Sequence, residues 1–240
     1  MGVFVKTAED GWLNLETGAE KTPEGLADWA TITSASIAGY EYADAEGFEW
    51  ISFEFTSDGC FTLEGDGLVE LLLVASAGQK SGGSAGGKGG GVFVGIQEMP
   101  AGTQEVVVGN GGAVSAEPTY ITESDASISW IGVVGDWSSP PNTGNGGMDL
   151  SGDGVFSTLK DGTEIGYGGG SAARGDYGQG DPPRPNSGGA STNTSGVQYG
   201  ADGVCIIRVP KGNAIGATVA PCTTSIRSKA HEAIVKKASE

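Results

Sequence analysis

Short apolar stretches recur along the chain at a spacing of two and break off at Gly, Asn, Asp or Pro. From Phe48 to Phe55, Ile51, Phe53 and Phe55 fall on one face and Trp50, Ser52 and Glu54 on the other, which predicts a half-buried strand. Asp58-Gly59 predicts a turn, Cys60-Phe61-Thr62-Leu63 the returning strand, and Gly65-Asp66-Gly67 a further turn. The run from Val69 to Ala75 is almost continuously apolar, as expected of a central strand. Val92-Phe93-Val94, Glu105 to Val108, Ser127 to Val134, and Val204 to Val209 predict more strands, with Pro100 to Thr103 as a turn and Pro210 as the final stop.

At the start, Val3 to Lys6 and Trp12 to Leu15 flank a hairpin-type Asp10-Gly11 turn, and Thr22-Pro23-Glu24-Gly25 breaks the pattern. Such a piece is too small for its own core, so it packs on the body or on a partner. Helical periodicity is confined to the end of the chain. Thr223 and Thr224 are N-cap candidates there, and Ile226, Ala230, Ala233 and Ile234 mark one face. The expected fold is all-β: an antiparallel β-sandwich or jelly roll with glycine-rich, polyglycine-II-like loop segments and a short C-terminal helix. The expected division is an N-terminal docking element over residues 1–30, a glycine-rich sandwich over 31–210, and a basic C-terminal tail with a helix over 211–240.

The glycines change this picture most. There are 44, clustered at 78–91, 144–154, 166–180 and 188–203, between the strand-like runs. Glycine loses more backbone freedom on folding than any other residue, so these segments need partners to be ordered. Residues 140–200 are dominated by Gly, Ser, Asn, Pro and Thr, and a structureless stretch of that length is unusual inside a compact domain. Extended polyproline-II geometry offers a way out. It has no internal hydrogen bonds and bonds laterally when the facing side chains are hydrogen atoms, as in Gly168-Gly169-Gly170. Either neighbouring chains supply those partners or the segments pack on one another.

The formal net charge is −17, which disfavours nucleic-acid binding through clustered Lys and Arg. From Cys205 onward, however, six basic residues face two acids. Arg227, Lys229, Lys236 and Lys237 make that tail a candidate docking segment. No apolar run approaches the roughly 20 residues of a membrane span, and the first residues lack the plan of a secretory signal. Synthesis in a cytoplasm is the expectation. The three cysteines have unrelated spacings; Cys60 and Cys205, inside strand patterns, are expected as buried free thiols and Cys222 as exposed.

The motifs that suggest chemistry are incomplete. Gly82 to Gly89 is close to a phosphate-binding loop, but Gly89 stands where Ser or Thr should hold magnesium, and a strand follows in place of a helix. Asp149 to Gly154 begins like a calcium loop, but Lys160 occupies the position of its bidentate Glu. Arg174-Gly175-Asp176 is given no role, and Asn193-Thr194-Ser195 is a silent glycosylation motif without a secretory signal. His231 is the only imidazole and lies in the tail, so no catalytic triad, zinc site, metal or cofactor is expected. With 30 acids, a pair of carboxylates at glycosidase spacing is uninformative. Trp130, Trp137, Tyr167, Tyr177 and Tyr199, in or just before the glycine-rich stretch, are candidate aromatics either for host or glycan contact or for packing.

The order of pieces carries a family resemblance. Phe55 to Thr62 leads into Gly67 to Ala75, a glycine cluster follows, then Pro100 to Thr103 and Val106 to Gly112, and Gly200 to Val209 closes the series. This resembles the glycine-rich domain of phage minor tail and tail-fibre proteins over about residues 48–209. It departs from the family between Tyr120 and Asp136, which are poorer in glycine. The resemblance implies a non-enzymatic virion protein at the tail tip or on a fibre, engaged in host-surface attachment. Its implied partners are copies of itself (a homotrimer by family analogy), other virion tail proteins, and a host cell-surface glycan or protein. A head decoration or fibre protein is the alternative, and a tail-associated glycan-degrading enzyme a more distant one.

Overall fold

The structure, a computed structural model, describes residues 3–6, 12–14, 20–21, 28–77, 80–81, 89–111, 117–123, 129–133, 154–169, 176, 178–179, 183–191, 197–198, 200–214 and 216–222. Its strands are β1 (Val3–Lys6), β2 (Trp12–Asn14), β3 (Glu20–Lys21), β4 (Ile32–Ala35), β5 (Tyr40–Ala43), β6 (Glu49–Phe55), β7 (Gly59–Leu63), β8 (Gly67–Val74) and β9 (Lys80–Ser81). They continue with β10 (Val92–Met99), β11 (Gly102–Val107), β12 (Thr119–Glu123), β13 (Ser129–Val133), β14 (Val155–Ser157), β15 (Ile165–Tyr167), β16 (Val197–Gln198), β17 (Val204–Pro210) and β18 (Thr218–Val219). One sheet runs β3-β2-β1-β10-β8-β17-β6-β5 and the other β13-β12-β11-β7-β4-β18. The long ladders are antiparallel, and the two sheets enclose one apolar core. The fold is the all-β sandwich that the patterning predicts.

Alternation builds that core. Cys205 pairs with both Phe55 and Leu73, and Leu73 with Phe93, so one row of inward side chains crosses four strands. Phe53, Ile207 and Leu71 form the next row. The facing sheet contributes Ile32, Phe61, Leu63, Val106 and Ile121. The Asp58-Gly59 turn does not make a hairpin, because β6 pairs with β5 and β17 while β7 pairs with β4 and β11. The turn carries the chain from one sheet to the other, and the bend before Gly67 carries it back. A period of two identifies a strand but not its neighbour. The N-terminal segment does form a hairpin, with Val5 opposite Leu13, and β1 extends the larger sheet along β10.

β8 and β17 are buried on both faces. Their outer side chains Leu72, Val74, Val204 and Ile206 pack with Val92 under Leu159 and Tyr167. These covering residues come from the β14–β15 hairpin and its connection, inside the low-complexity stretch. Full burial of one such aliphatic side chain contributes about 1.5–3 kcal/mol, so this third layer explains why residues 69–75 and 204–209 are apolar on both faces apart from Glu70 and Arg208.

The glycine segments pack on one another within one chain. Ala75 N–H donates to Gly91 O, Gly90 N–H to Gly188 O, Gly188 N–H to Asp202 O, Ala201 N–H to Gly189 O, and Ala190 N–H to Gly169 O, all at 2.7–2.9 Å. Ala77 N–H donates to Ala201 O and Gly203 N–H to Gly109 O. Lateral bonding of extended segments is the polyglycine-II-like packing expected, although Gly168 and Gly188 have φ of +73° and +60° and interrupt any regular helix. The array sits at one end of the sandwich, where β8 ends, β10 and β17 begin, and β11 leads into Gly109.

The expectation for Cys60 is corrected: it forms a disulfide with Cys222, across 162 residues of sequence. Pairing of β18 on β4, next to β7, brings the two Cα atoms to 5.8 Å, a proximity that sequence spacing does not encode. In the chain-entropy view a loop this long is worth about 5 kcal/mol. Cys205 is a buried free thiol, as expected. The C-terminal helix expected after Pro221 lies outside the described residues.

A Cβ on Gly90 would press on the Ala75 carbonyl, where backbone cannot step aside. Gly90→Ala is therefore expected to lower stability by about 1–3 kcal/mol in urea unfolding. Gly65→Ala, with open space at that position, is expected to stay within about 0.5 kcal/mol.

Candidate functional site

Among the described residues, polar side chains line concave surfaces at the glycine end and on the outer face of the larger sheet. The first lies at the glycine end, a shallow pocket of about 240 Å³ lined by Thr56, Ser57, Asp58, Val108, Gly109, Asn110 and Asp202. Its carboxylates already hold backbone. Asp58 Oδ1 accepts from Val108 N–H at 3.0 Å, and Asp202 Oδ1 from Gly111 N–H at 2.6 Å. They fix the turns that lead into the array.

The second is a cleft of about 200 Å³ on the outer face of the larger sheet, between β8, β10 and β17 below and the β14–β15 hairpin above. Strand register creates its polar floor. Arg208 of β17 stands opposite Glu70 of β8, and each is the one charge in an apolar strand. Arg208 Nε donates to Glu70 Oε2 at 2.5 Å, with both side chains almost wholly buried. Arg208 Nη1 donates to the Tyr42 hydroxyl at 2.7 Å, and the guanidinium lies 4.1 Å from the Trp50 ring centroid. Tyr42 in turn donates to Leu159 O at 3.1 Å, and Ser52 Oγ to Lys160 O at 2.5 Å. Lys160 Nζ pairs with Glu54 at 3.0 Å. The ion pair thus reaches through Tyr42 to the connection that roofs the cleft. Val94, Leu159 and Phe156 give apolar walls, and Phe156 is 44% exposed.

The electrostatics follow from this burial. Desolvation acts to lower the Arg208 pKa, but the Glu70 carboxylate and the Tyr42 oxygen outweigh it and hold the guanidinium above its ordinary value. Burial raises the Tyr42 hydroxyl above 10.0, against the opposing pull of Arg208. Burial alone pushes the Cys205 thiol far above 9.0, which leaves a packed, unreactive side chain. The cleft is suited to binding through a neutralised charge pair beside an accessible phenyl ring. Glu70 gives one carboxylate oxygen to Arg208, and Glu164 also lines the cleft.

Of the aromatics singled out in the sequence, Tyr167 is buried in the third layer. Burial raises its hydroxyl pKa, and the Arg184 guanidinium lies 5.9 Å from its ring centroid. It takes the packing role. Trp130 belongs to β13, and its side chain lies outside the described residues. Trp137, Tyr177, Tyr199, Arg227, Lys229, Lys236 and Lys237 also lie outside them. Asp176 of the Arg-Gly-Asp tripeptide pairs with Arg184 at 3.3 Å. Among the described residues, no group of three or more His, Cys, Asp or Glu is placed to hold a metal ion. Sequence reasoning passed over Glu70, Arg208, Tyr42 and Phe156. A single charge inside each of two otherwise apolar strands was the signal available for the first two.

Comparison with protein-family models, curated proteins and solved structures found no match to this chain.

Removing one partner of a buried pair strands the other's charge. Arg208→Met is expected to cost about 3–5 kcal/mol in urea unfolding. The double variant Glu70→Leu/Arg208→Met is expected to recover much of that loss, so the cycle isolates the coupling. Alkali should also destabilise the fold. Cys205, Tyr42 and Tyr167 have raised pKa values in the folded state, so the unfolded chain releases their protons first. Their contribution is intact below the unfolded values and is lost as pH rises beyond them. The loss is expected to begin near 9.0, the ordinary value for Cys205. Cys205→Ala should move its onset toward 10.0, the tyrosine value.

Proposed function

We propose that this protein is a non-enzymatic structural component of a phage virion, a minor tail protein at the tail tip or on a tail fibre, with a part in host-surface attachment. One observation carries the reading. Glycine-rich extended segments bond laterally at one end of a β-sandwich, the combination implied by the resemblance to glycine-rich domains of phage tail proteins. The fold also has a polarity that suits attachment. β1 starts with Val3 opposite Gln97, toward the end of β10 remote from the array. Docking at the far end is assigned to residues 1–30, and the glycine end faces outward; the basic tail, the other docking candidate, follows Cys222, which is bonded to Cys60 near the glycine end.

Among the described residues the glycine segments bond to one another within one chain. The proposed partners are further copies in three-fold symmetry and other tail proteins. For the host partner we propose a surface glycan or protein. The cleft beside Glu70 and Arg208 has room for one small hydroxyl-rich ring, which Phe156 would cover from the side.

Antibodies to the protein are expected to label the tail tip or fibre in electron micrographs of the phage that carries it, and their Fab fragments to slow adsorption. Labelling of the head, or no labelling of particles, would overturn that placement. Release of reducing ends from host surface polysaccharide by the purified protein would overturn the non-enzymatic reading.

A further inference from the structure

We propose that the Cys60–Cys222 disulfide is a redox latch. Closed, it holds residues 216–222 as a strap along the edge of β4; opened by thiol–disulfide exchange, it lets the strap leave while the sandwich stays folded. This inference stands apart from where the protein sits or what it binds.

Among the described residues the strap has few other holds, apart from a bond at its root from Ala217 N–H to Ala214 O at 3.1 Å. β18 pairs with β4 over two positions only, Thr218 with Ser34 and Val219 with Ala35. One further backbone bond follows, from Ala220 N–H to Ala35 O at 2.9 Å. Both β18 side chains are exposed, Val219 at 65%. Ala217 alone in the strap touches the core, and it does so from a partly buried position. Immediately upstream the chain is firmly held. Ala214 is buried in the core, and Asn213 Nδ2 donates to Trp29 O at 3.1 Å. Between the two lies Gly216, with φ of +80° and open space around it, a position where the backbone can swing without a side chain in the way.

The bond lies outside the apolar core. Neither Cys60 nor Cys222 belongs to the apolar cluster between the sheets, and Cys205, buried within that cluster, is shielded from exchange. Cys222 is more accessible than Cys60, so a dithiol's thiolate attacks Cys222 Sγ. The Cys60 sulfur leaves as thiolate and takes up a proton, and a mixed disulfide forms at Cys222. The reagent's second thiol then displaces Cys222, closing its own disulfide. Two electrons pass from the dithiol, which is oxidised, to the protein disulfide. Departure of the strap leaves the outer backbone edge of β4 unpaired, a template for another strand.

Hydrogen exchange of the full-length protein, with and without dithiothreitol, tests this. Reduction is expected to abolish amide protection over 217–220 and at the β4 edge, with β8 and β17 unchanged. Cys222→Ser, without reductant, is expected to give the same pattern. Alkylation followed by mass analysis should mark no cysteine in the native protein, Cys60 and Cys222 after mild reduction, and Cys205 only after unfolding. Unchanged strap protection with both thiols alkylated would overturn the latch. So would loss of protection in β8 and β17 together with the strap, which would make the bond a staple of the whole fold.

Discussion

A missing Cβ is the constraint on which the rest of this molecule depends. At Gly89, Gly90, Gly109, Gly111, Gly188, Gly200 and Gly203, a side chain would collide with backbone from a segment distant in sequence. Buried N–H and C=O groups need partners, and here other extended segments supply them. The contacts also join the two sheets. Gly203 N–H reaches Gly109 O and Ser76 N–H reaches Glu117 O, so the ends of β8 and β17 are tied to the β11–β12 connection. The strands are aligned because their ends enter one hydrogen-bonded array.

Above that constraint the sandwich is layered. Inward rows from β6, β17, β8 and β10 fill the core, and outward rows of the same strands are roofed by the β14–β15 hairpin. The two layers meet at Arg208 and Glu70. A buried ion pair gains little net stability over an apolar pair of the same shape. What this one supplies is geometry. The opposed positions hold β17 against β8 in one register, and the relay through Tyr42 seats the roof.

The same layering separates possible functions in space. The glycine array occupies one end, the start of the chain points to the other, and the Glu70–Arg208 cleft opens on a flank. The strap of residues 216–222 closes an edge of the second sheet.

Much of the fold was legible because its causes are local. The alternation of Ile51, Phe53 and Phe55, and the apolar runs at 69–75 and 204–209, follow from which faces are buried, and they marked β6, β8 and β17. The glycine clusters announced close backbone packing because no other residue allows it. β5 and β18 were not legible, since exposed strands carry no apolar pattern. The β14–β15 hairpin was hidden by low-complexity flanks. Sequence by itself determined the all-β class, the central strands and the need for lateral glycine packing. Tertiary structure alone decided which described glycine segments bond to one another, that Cys60 meets Cys222, and that Arg208 meets Glu70. Each of these joins residues far apart along the chain, and such proximity depends on strand order and register, which no local period records.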